Sequence, residues 1–145
     1  MPAAETAPRT ALDPARLTGA VERLFSLLRH GNPPNDISLT AASTLWRLER
    51  EGPRRLTELA AAEGVTQPAM SQLVQRLERD GVTGRATDPD DGRVVLVHVT
   101  DAGRDLLARR RAHRAEHLAA LLIDLSPEDR TLIAAALPAL ERLAR

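Results

Sequence analysis

Residues 57–81 have the sequence TELAAAEGVTQPAMSQLVQRLERDG, a pattern that predicts two helices joined by a tight turn. Thr57 is expected to cap the first helix and Thr66 the second, because a threonine hydroxyl accepts from the free N–H groups of a first helical turn. Gly64-Val65 supplies the turn between them. Four apolar residues of the second helix recur at helical spacing: Met70, Leu73, Val74 and Leu77. One face of that helix should therefore lie in the core.

The hydrophobic period changes after residue 81. Residues 94–99, VVLVHV, are mostly β-branched and too few for a stable buried helix, so they predict a strand. Residues 88–92, DPDDG, form a turn-rich loop, and residues 82–87 can supply the partner strand. A β-hairpin is therefore expected directly after the helix pair.

Four further helices are expected around this centre, at about residues 13–31, 40–52, 101–124 and 126–144. Asp13 and Ser126 are placed as N-caps, each followed by a proline that the first turn tolerates. Pro138 should kink the last helix. Residues 1–12 are predicted to be a flexible N-terminal arm, and residues 13–145 a single domain.

This order predicts a mainly α fold with a small β-hairpin wing. Residues 38–100 would form a winged helix-turn-helix, flanked by N- and C-terminal dimerisation helices at 13–31 and 101–145.

Composition excludes several classes of protein. The 145 residues contain no cysteine, which excludes disulfide bonds, zinc sites with thiolate ligands and catalysis by cysteine. No apolar run approaches the ~18 residues that a membrane span needs, and the N-terminus lacks a signal-peptide core, so a cytoplasmic protein without membrane contact is expected. All 20 basic residues are arginine and the net charge is zero. Charge alone therefore gives little support for nucleic-acid binding.

The second helix of the pair has an unusual polar face. Opposite its apolar stripe lie Pro68, Ser71, Gln72, Gln75 and Arg79, with Arg76 on the flank. No acid occurs in this helix before Glu78. Glutamine can pair with adenine and serine can donate or accept, whereas an acid is repelled by phosphate. This face is typical of a helix that reads DNA bases, the alternative being a merely solvated surface.

These residues resemble the multiple antibiotic resistance regulator (MarR) family. The similarity rests on Leu39-Thr40, on LTELA at 56–60, on GVTQPAMS at 64–71 and on LERDGV at 77–82. The most diagnostic part is the wing, with DPDDGR at 88–93, VHVT at 97–100 and Gly103. The similarity covers about residues 13–144 and implies a DNA-binding transcriptional regulator.

The resemblance also implies roles for individual residues. From the recognition helix, seven residues would lie at the major groove: Thr66, Gln67, Pro68, Ser71, Gln72, Gln75 and Arg76. Arg93 at the wing tip would enter the minor groove, with Asp91 steadying its guanidinium, and Arg85 would touch phosphate. A narrow groove has an enhanced negative potential that attracts arginine. The alternative for Arg93 is a local salt bridge to Asp90 or Asp91.

A homodimer is expected because the outer helices carry more apolar surface than one subunit needs. The stripes consist of Leu118, Leu121, Leu122 and Leu125, followed by Leu132, Ile133, Ala136, Leu137, Leu140 and Leu143. Between Leu45 and His98 eight arginines face nine acids, so the affinity of one subunit for phosphate should be modest. Two subunits that bind a pseudo-palindromic operator together would supply the remaining affinity for DNA. An intramolecular bundle is the alternative for these stripes.

The fifth helix suggests two further sites. Arg110, Arg111 and Arg114 interrupt its apolar stripe. The resemblance implies a nearby crevice for a small anionic or aromatic effector, so these arginines could bind such a molecule and release a repressor from DNA. Salt bridges to Glu22, Glu116 or a partner acid are the favoured alternative. His113, Glu116 and His117 match an inverted zinc-protease motif.

Two competing functions follow from these observations: a metal-dependent hydrolase, and a winged-helix protein-interaction module without DNA binding. The two histidines, His113 and His117, are more simply partly exposed helix residues, so no cofactor or enzymatic activity is expected. His30 is interpreted as a helix-end residue, and His98 as a surface residue of the wing strand.

Overall fold

The computed structural model describes residues 12–34 and 36–144 and has the predicted mainly α architecture. The helices and strands are α1 (Pro14–His30), α2 (Leu39–Glu51), β1 (Arg54–Arg55), α3 (Leu56–Glu63), α4 (Gln67–Arg79), β2 (Thr83–Thr87), β3 (Val95–Val99), α5 (Asp101–Ile123) and α6 (Pro127–Leu143). The strands form one antiparallel sheet in the order β1-β3-β2. The predicted arm at 1–12 lies outside the described residues except for Leu12, which is exposed.

Three of the four predicted helix caps are confirmed. The Asp13 carboxylate accepts from the Ala15 N–H at 2.9 Å, and the Ser126 hydroxyl accepts from the Asp129 N–H at 3.0 Å. Thr66 Oγ1 accepts from the N–H of Ala69 at 3.4 Å. Each bond satisfies a donor that the first helical turn leaves free.

The prediction that Thr57 caps α3 was wrong. The N-cap is Arg55, whose N–H donates to the Glu58 carboxylate at 2.8 Å, so Thr57 lies inside the first turn. The cause is a strand that the sequence did not reveal: Arg54 and Arg55 pair with β3 immediately before the helix. Two residues are too few to show a strand period.

The core forms where α2, α3 and α4 pack on one face of the sheet. Its buried members are Ala41, Leu45, Leu48, Leu59, Ala60, Met70, Leu73, Val74, Leu77, Val82, Val97, Val99 and Leu107. The predicted stripe of α4 is confirmed, since all four of its apolar residues are buried here. Helices α1 and α6, in contrast, contribute no buried residue.

Helix α5 connects this core to the segment that joins α1 and α2. Gly103 lies against the carbonyl oxygen of Val82, at a separation that leaves no room for a Cβ atom. One helical turn after Leu107, the Arg110 side chain is buried and its Nε–H donates to both carboxylate oxygens of Asp36, at 2.9 and 2.7 Å. Arg114 Nε donates to Asn32 Oδ1 at 2.7 Å.

Replacing Gly103 with alanine is expected to destabilise the fold by about 1–3 kcal/mol, because the new methyl group would overlap the Val82 carbonyl and Val99. Chemical denaturation monitored by circular dichroism measures this loss. Gly92→Ala is the control, because its Cβ would meet only the Thr87 methyl group, at 4.0 Å. Equal stabilities of the two variants would contradict the close packing of α5 on the wing strands.

Candidate nucleic-acid interface

Helix α4 presents its polar face to solvent. Burial of the opposite stripe leaves six of the predicted contact residues exposed: Thr66, Gln67, Pro68, Gln72, Gln75 and Arg76. Ser71 is half-buried. The structure thus brings together seven polar or small residues on one continuous helical face.

The turn before α4 fixes its angle to α3. Gly64 has φ +64°, a left-handed conformation that a side chain disfavours, and it ends α3. The Val65 N–H then donates to the Ala60 carbonyl at 3.0 Å. This closed turn, with Leu59 and Ala60 buried under it, produces the predicted helix-turn-helix.

The wing is an antiparallel hairpin whose tip carries Arg93. Strands β2 and β3 are in register from Thr83 opposite Val99 to Thr87 opposite Val95. At the tip, Asp91 Oδ1 accepts from the backbone N–H of Arg93 at 3.1 Å. Asp91 therefore orders the backbone of the loop. It contacts the backbone of Arg93 and not its guanidinium group, so the predicted contact with the guanidinium was wrong.

The Arg93 side chain is exposed. Within the described ranges no carboxylate lies within 4.0 Å of its guanidinium, so the alternative of a salt bridge to Asp90 or Asp91 was wrong. Arg93 is therefore an exposed cation at the tip of the wing, without a carboxylate partner among residues 12–34 and 36–144.

Arg85, the other predicted contact of the wing, is already engaged. Its Nε lies 2.7 Å from Oε1 of Glu78, in the last turn of α4. This ion pair joins the wing to α4, and no local sequence pattern predicts it because the two residues belong to different elements.

A second set of ion pairs joins α2 to α3 and β1. Glu63 accepts from the Ser43 hydroxyl at 3.0 Å and from Arg47 Nε at 3.3 Å. Arg47 also reaches Glu51, which lies near Arg50 and Arg54 as well. Desolvation raises the pKa of Glu51, but the hydrogen bond from Arg50 and the charges of the nearby arginines outweigh it and lower this pKa below its usual value.

A cleft of about 310 Å³ lies between α2 and α5. Its lining residues are Leu39, Ala42, Ser43, Trp46, Leu107, Arg110, Arg111 and Arg114. The Trp46 ring is half-exposed and carries the Arg50 guanidinium 4.4 Å from its centroid. The three predicted arginines are therefore brought to one cleft, together with Trp46, whose proximity to them no local sequence pattern indicates.

The favoured alternative of salt bridges holds for Arg110, which pairs with Asp36, and for Arg111, which pairs with Glu49, so Glu22 and Glu116 were the wrong acids of this chain. Arg114 instead donates to the Asn32 side chain. Arg111 is the most accessible of the three, with 65% of its side chain exposed and Nη2 3.5 Å from Glu49. Burial, and then the charge of Arg110, lower the pKa of Arg114, while Asp36 opposes this shift.

The histidines give no support for a metal site. Glu116 is exposed, and the His117 ring packs on Gly31, where an added Cβ would lie 2.6 Å from Cδ2. Among residues 12–34 and 36–144, no three histidine or acidic side chains are placed to hold a metal ion. The hydrolase alternative therefore lacks its third ligand in this part of the chain.

The interpretation of His30 is confirmed and that of His98 was wrong. His30 Nδ1 lies 2.7 Å from the Ser26 carbonyl at the end of α1. His98 is half-buried because its ring packs on Gly84, directly opposite in the hairpin. Because Gly84 has no side chain, the neighbouring strand leaves room for the His98 ring.

The predicted apolar stripe of α6 is exposed, that of α5 is half-buried, and α1 has further exposed apolar residues. Leu132, Ile133, Leu137, Leu140 and Leu143 of α6 are exposed, as are Val21, Leu24, Phe25 and Leu27 of α1. Leu118, Leu121, Leu122 and Leu125 are half-buried. Among residues 12–34 and 36–144, none of the helices combines the length and the apolar character that a membrane span requires.

Comparison with known proteins agrees with this geometry. The family model described as the MarR family matches residues 37–95. An HTH-type transcriptional regulator of Mycobacterium tuberculosis is 38% identical over 120 residues, which span 83% of this chain and 84% of the relative. The HTH-type transcriptional repressor IacR of Pseudomonas putida is 27% identical over 94 residues, 65% of this chain and 52% of IacR. The crystal structure of the transcriptional regulator Tm0710 from Thermotoga maritima superposes with a TM-score of 0.75 at 25% identity, covering 90% of this chain and 94% of that one.

Proposed function

Since the chain belongs to the MarR family of helix-turn-helix transcriptional regulators, we propose that it is a homodimeric repressor of a specific double-stranded DNA operator. The observation that carries this proposal is the exposed polar face of α4 together with the exposed Arg93 at the tip of the wing. A major groove admits one helix, and an adjacent minor groove admits an arginine. IacR, a relative that is named a repressor, supports the direction of regulation.

The α4 residues would read base edges and position the helix. Gln72 and Gln75 can each pair with adenine, while the Thr66 hydroxyl at the start of the helix can donate to a phosphate. Asp91 would act through the loop backbone that it orders around Arg93. Arg85 would have to leave Glu78 to contact phosphate.

The exposed stripes of α1 and α6 support the dimer. Apolar patches of this extent on a monomer mark an interface, and covering them with the same patches of a second copy gives a closed two-fold assembly. Such a dimer would present two α4 helices about one DNA turn apart, roughly 10 base pairs, on a pseudo-palindrome.

The cleft between α2 and α5 supports regulation by a small anionic or aromatic molecule. Three guanidinium groups face two carboxylates, those of Asp36 and Glu49, which leaves an excess of one positive charge. Trp46 and Leu107 supply apolar walls. An aromatic carboxylate combines the two properties that this lining complements.

The same cleft is connected to the helix-turn-helix by a hydrogen bond. Ser43 lines the cleft, and its hydroxyl donates to Glu63 at the end of α3. A ligand oxygen that drew Ser43 away would remove one restraint on α3, the helix on which α4 is set. This provides a route by which ligand binding would weaken the hold on DNA.

Replacing Arg93 with alanine is expected to weaken operator binding by ~1–3 kcal/mol, because the wing loses its groove contact. The measurement is a titration against the DNA upstream of the protein's own gene, at two salt concentrations, with Arg142→Ala as the control. Unchanged affinity in the Arg93 variant would remove the wing from the mechanism. Absence of any duplex preference in the wild type, even in dilute buffer, would refute the proposed function itself.

Replacing Leu137 with glutamate is expected to convert the dimer into a monomer, because the charge would be buried in the α6 interface. Sedimentation equilibrium measures the mass, and Ala135→Glu, on the opposite side of α6, is the matched control. A wild-type protein with the mass of one chain would contradict the dimer.

Benzoate is expected to raise the thermal midpoint of the wild-type protein, and Arg111→Ala should abolish most of this rise. Arg109→Ala is the control, since Arg109 lies on the same helix but outside this cleft. Benzamide, which has the ring without the charge, should have little effect. Equal shifts in the wild type and the Arg111 variant would exclude the cleft arginine from ligand binding.

A further inference from the structure

The Glu78–Arg85 ion pair lies where the recognition helix meets the wing. Glu78 occupies the last turn of α4, and Arg85 is in the middle of β2. Arg85 is directly opposite Val97, which is buried, so its side chain leaves the sheet on the face that packs on the helices. The two charges meet at 2.7 Å, with 42% of the Arg85 side chain and 26% of the Glu78 side chain exposed.

An acid is unexpected at this place on a DNA-binding surface. Glu78 is the first acid of α4 and repels phosphate, and its contact with Arg85 neutralises a cation of the wing. Partly exposed ion pairs stabilise a fold only weakly, so stability alone gives little reason for the pair. Its larger consequence is for the charge that the protein offers to DNA.

We propose that Glu78 is a specificity-determining residue, which holds Arg85 against α4 and withholds it from sequence-independent contact with phosphate. The proposal rests on the DNA-binding function proposed above. On a random duplex the polar face of α4 finds no matching base edges, so the affinity depends on phosphate contacts alone. Neutralising Arg85 therefore lowers the affinity of the protein for random DNA.

The pair has a second effect on the operator complex, where Arg85 acts as a positioning residue. Because it joins β2 to α4, it restrains the angle between the wing and the recognition helix. The entry of Arg93 into its groove is then coupled to correct seating of α4. Glu78 would thus increase the difference in affinity between operator and random DNA in two ways. It would weaken binding to random DNA, and it would hold the wing in position on the operator.

The test compares binding to an operator duplex and to a random duplex of equal length across a salt series. Glu78→Gln should bind the random duplex about tenfold more tightly at low salt, with a log–log salt slope steeper by about 0.9, the value for one added phosphate contact. Operator affinity should change less, so the ratio of the two affinities should fall. Glu116→Gln, the same charge change at an exposed position of α5, should leave the random-duplex slope unchanged.

The double variant Glu78→Gln/Arg85→Ala separates the proposal from a direct role of Arg85. Since the ion pair is neutral, removing both charges should restore the wild-type slope for the random duplex. A slope shallower than wild type by about 0.9 would show that Arg85 contacts phosphate in the native protein and would overturn the proposal. This variant stays informative if Glu78→Gln alone does not fold.

Two further outcomes are distinguishable. If wild type prefers the operator but Glu78→Gln binds the random duplex as wild type does, the role of Glu78 is refuted and the proposed function stands. If wild type shows no preference between the duplexes, the proposed function fails first.

Discussion

Burial of one face of α4 is the constraint on which the surface proposed to face DNA depends. Met70, Leu73, Val74 and Leu77 are packed into a core shared with α2, α3 and the sheet. Burying each of these side chains is worth about 1.5–3 kcal/mol, so rotation of the helix about its axis would be costly. The opposite face is consequently presented to solvent in a fixed orientation. A reading surface requires this rigidity, because hydrogen bonds to base edges tolerate little displacement.

The long helix α5 is held in place both at the wing and at the cleft. At its start Gly103 packs against Val82 and Val99 at the base of the hairpin, and two turns later Arg110 is bound to Asp36. A buried ion pair contributes little net stability because both charges must be desolvated, but losing one partner is costly. The pair therefore specifies how α5 lies against the α1–α2 connection. A ligand in the cleft would act on a surface whose geometry is already restrained at both ends.

Local signals predicted most of the fold. Helical periodicity located the buried stripe of α4, and short polar residues before it and before α1 and α6 located three caps. The features that were not predicted depend on contacts between residues that are far apart in the sequence. Strand β1 exists because Arg54 and Arg55 meet β3, about 40 residues later, and no window of sequence contains that pairing. The Arg110–Asp36 contact, 74 residues apart, escaped prediction for the same reason.

The same distinction separates the predictable part of the candidate site from the rest. The exposed face of α4 followed from its period, because residues that alternate with a buried stripe must face solvent. Whether a given arginine is available to DNA did not follow from the sequence. Arg47, Arg50, Arg54 and Arg85 have carboxylate partners, whereas Arg93 does not within the described ranges.

A count of eight arginines against nine acids therefore misrepresents the surface that DNA would meet, since much of that charge is neutralised inside the domain. What remains is a small number of cations in defined positions beside an uncharged helical face. Such a surface gains little from phosphate attraction, and its affinity must come from the fit of α4 and the wing to one sequence.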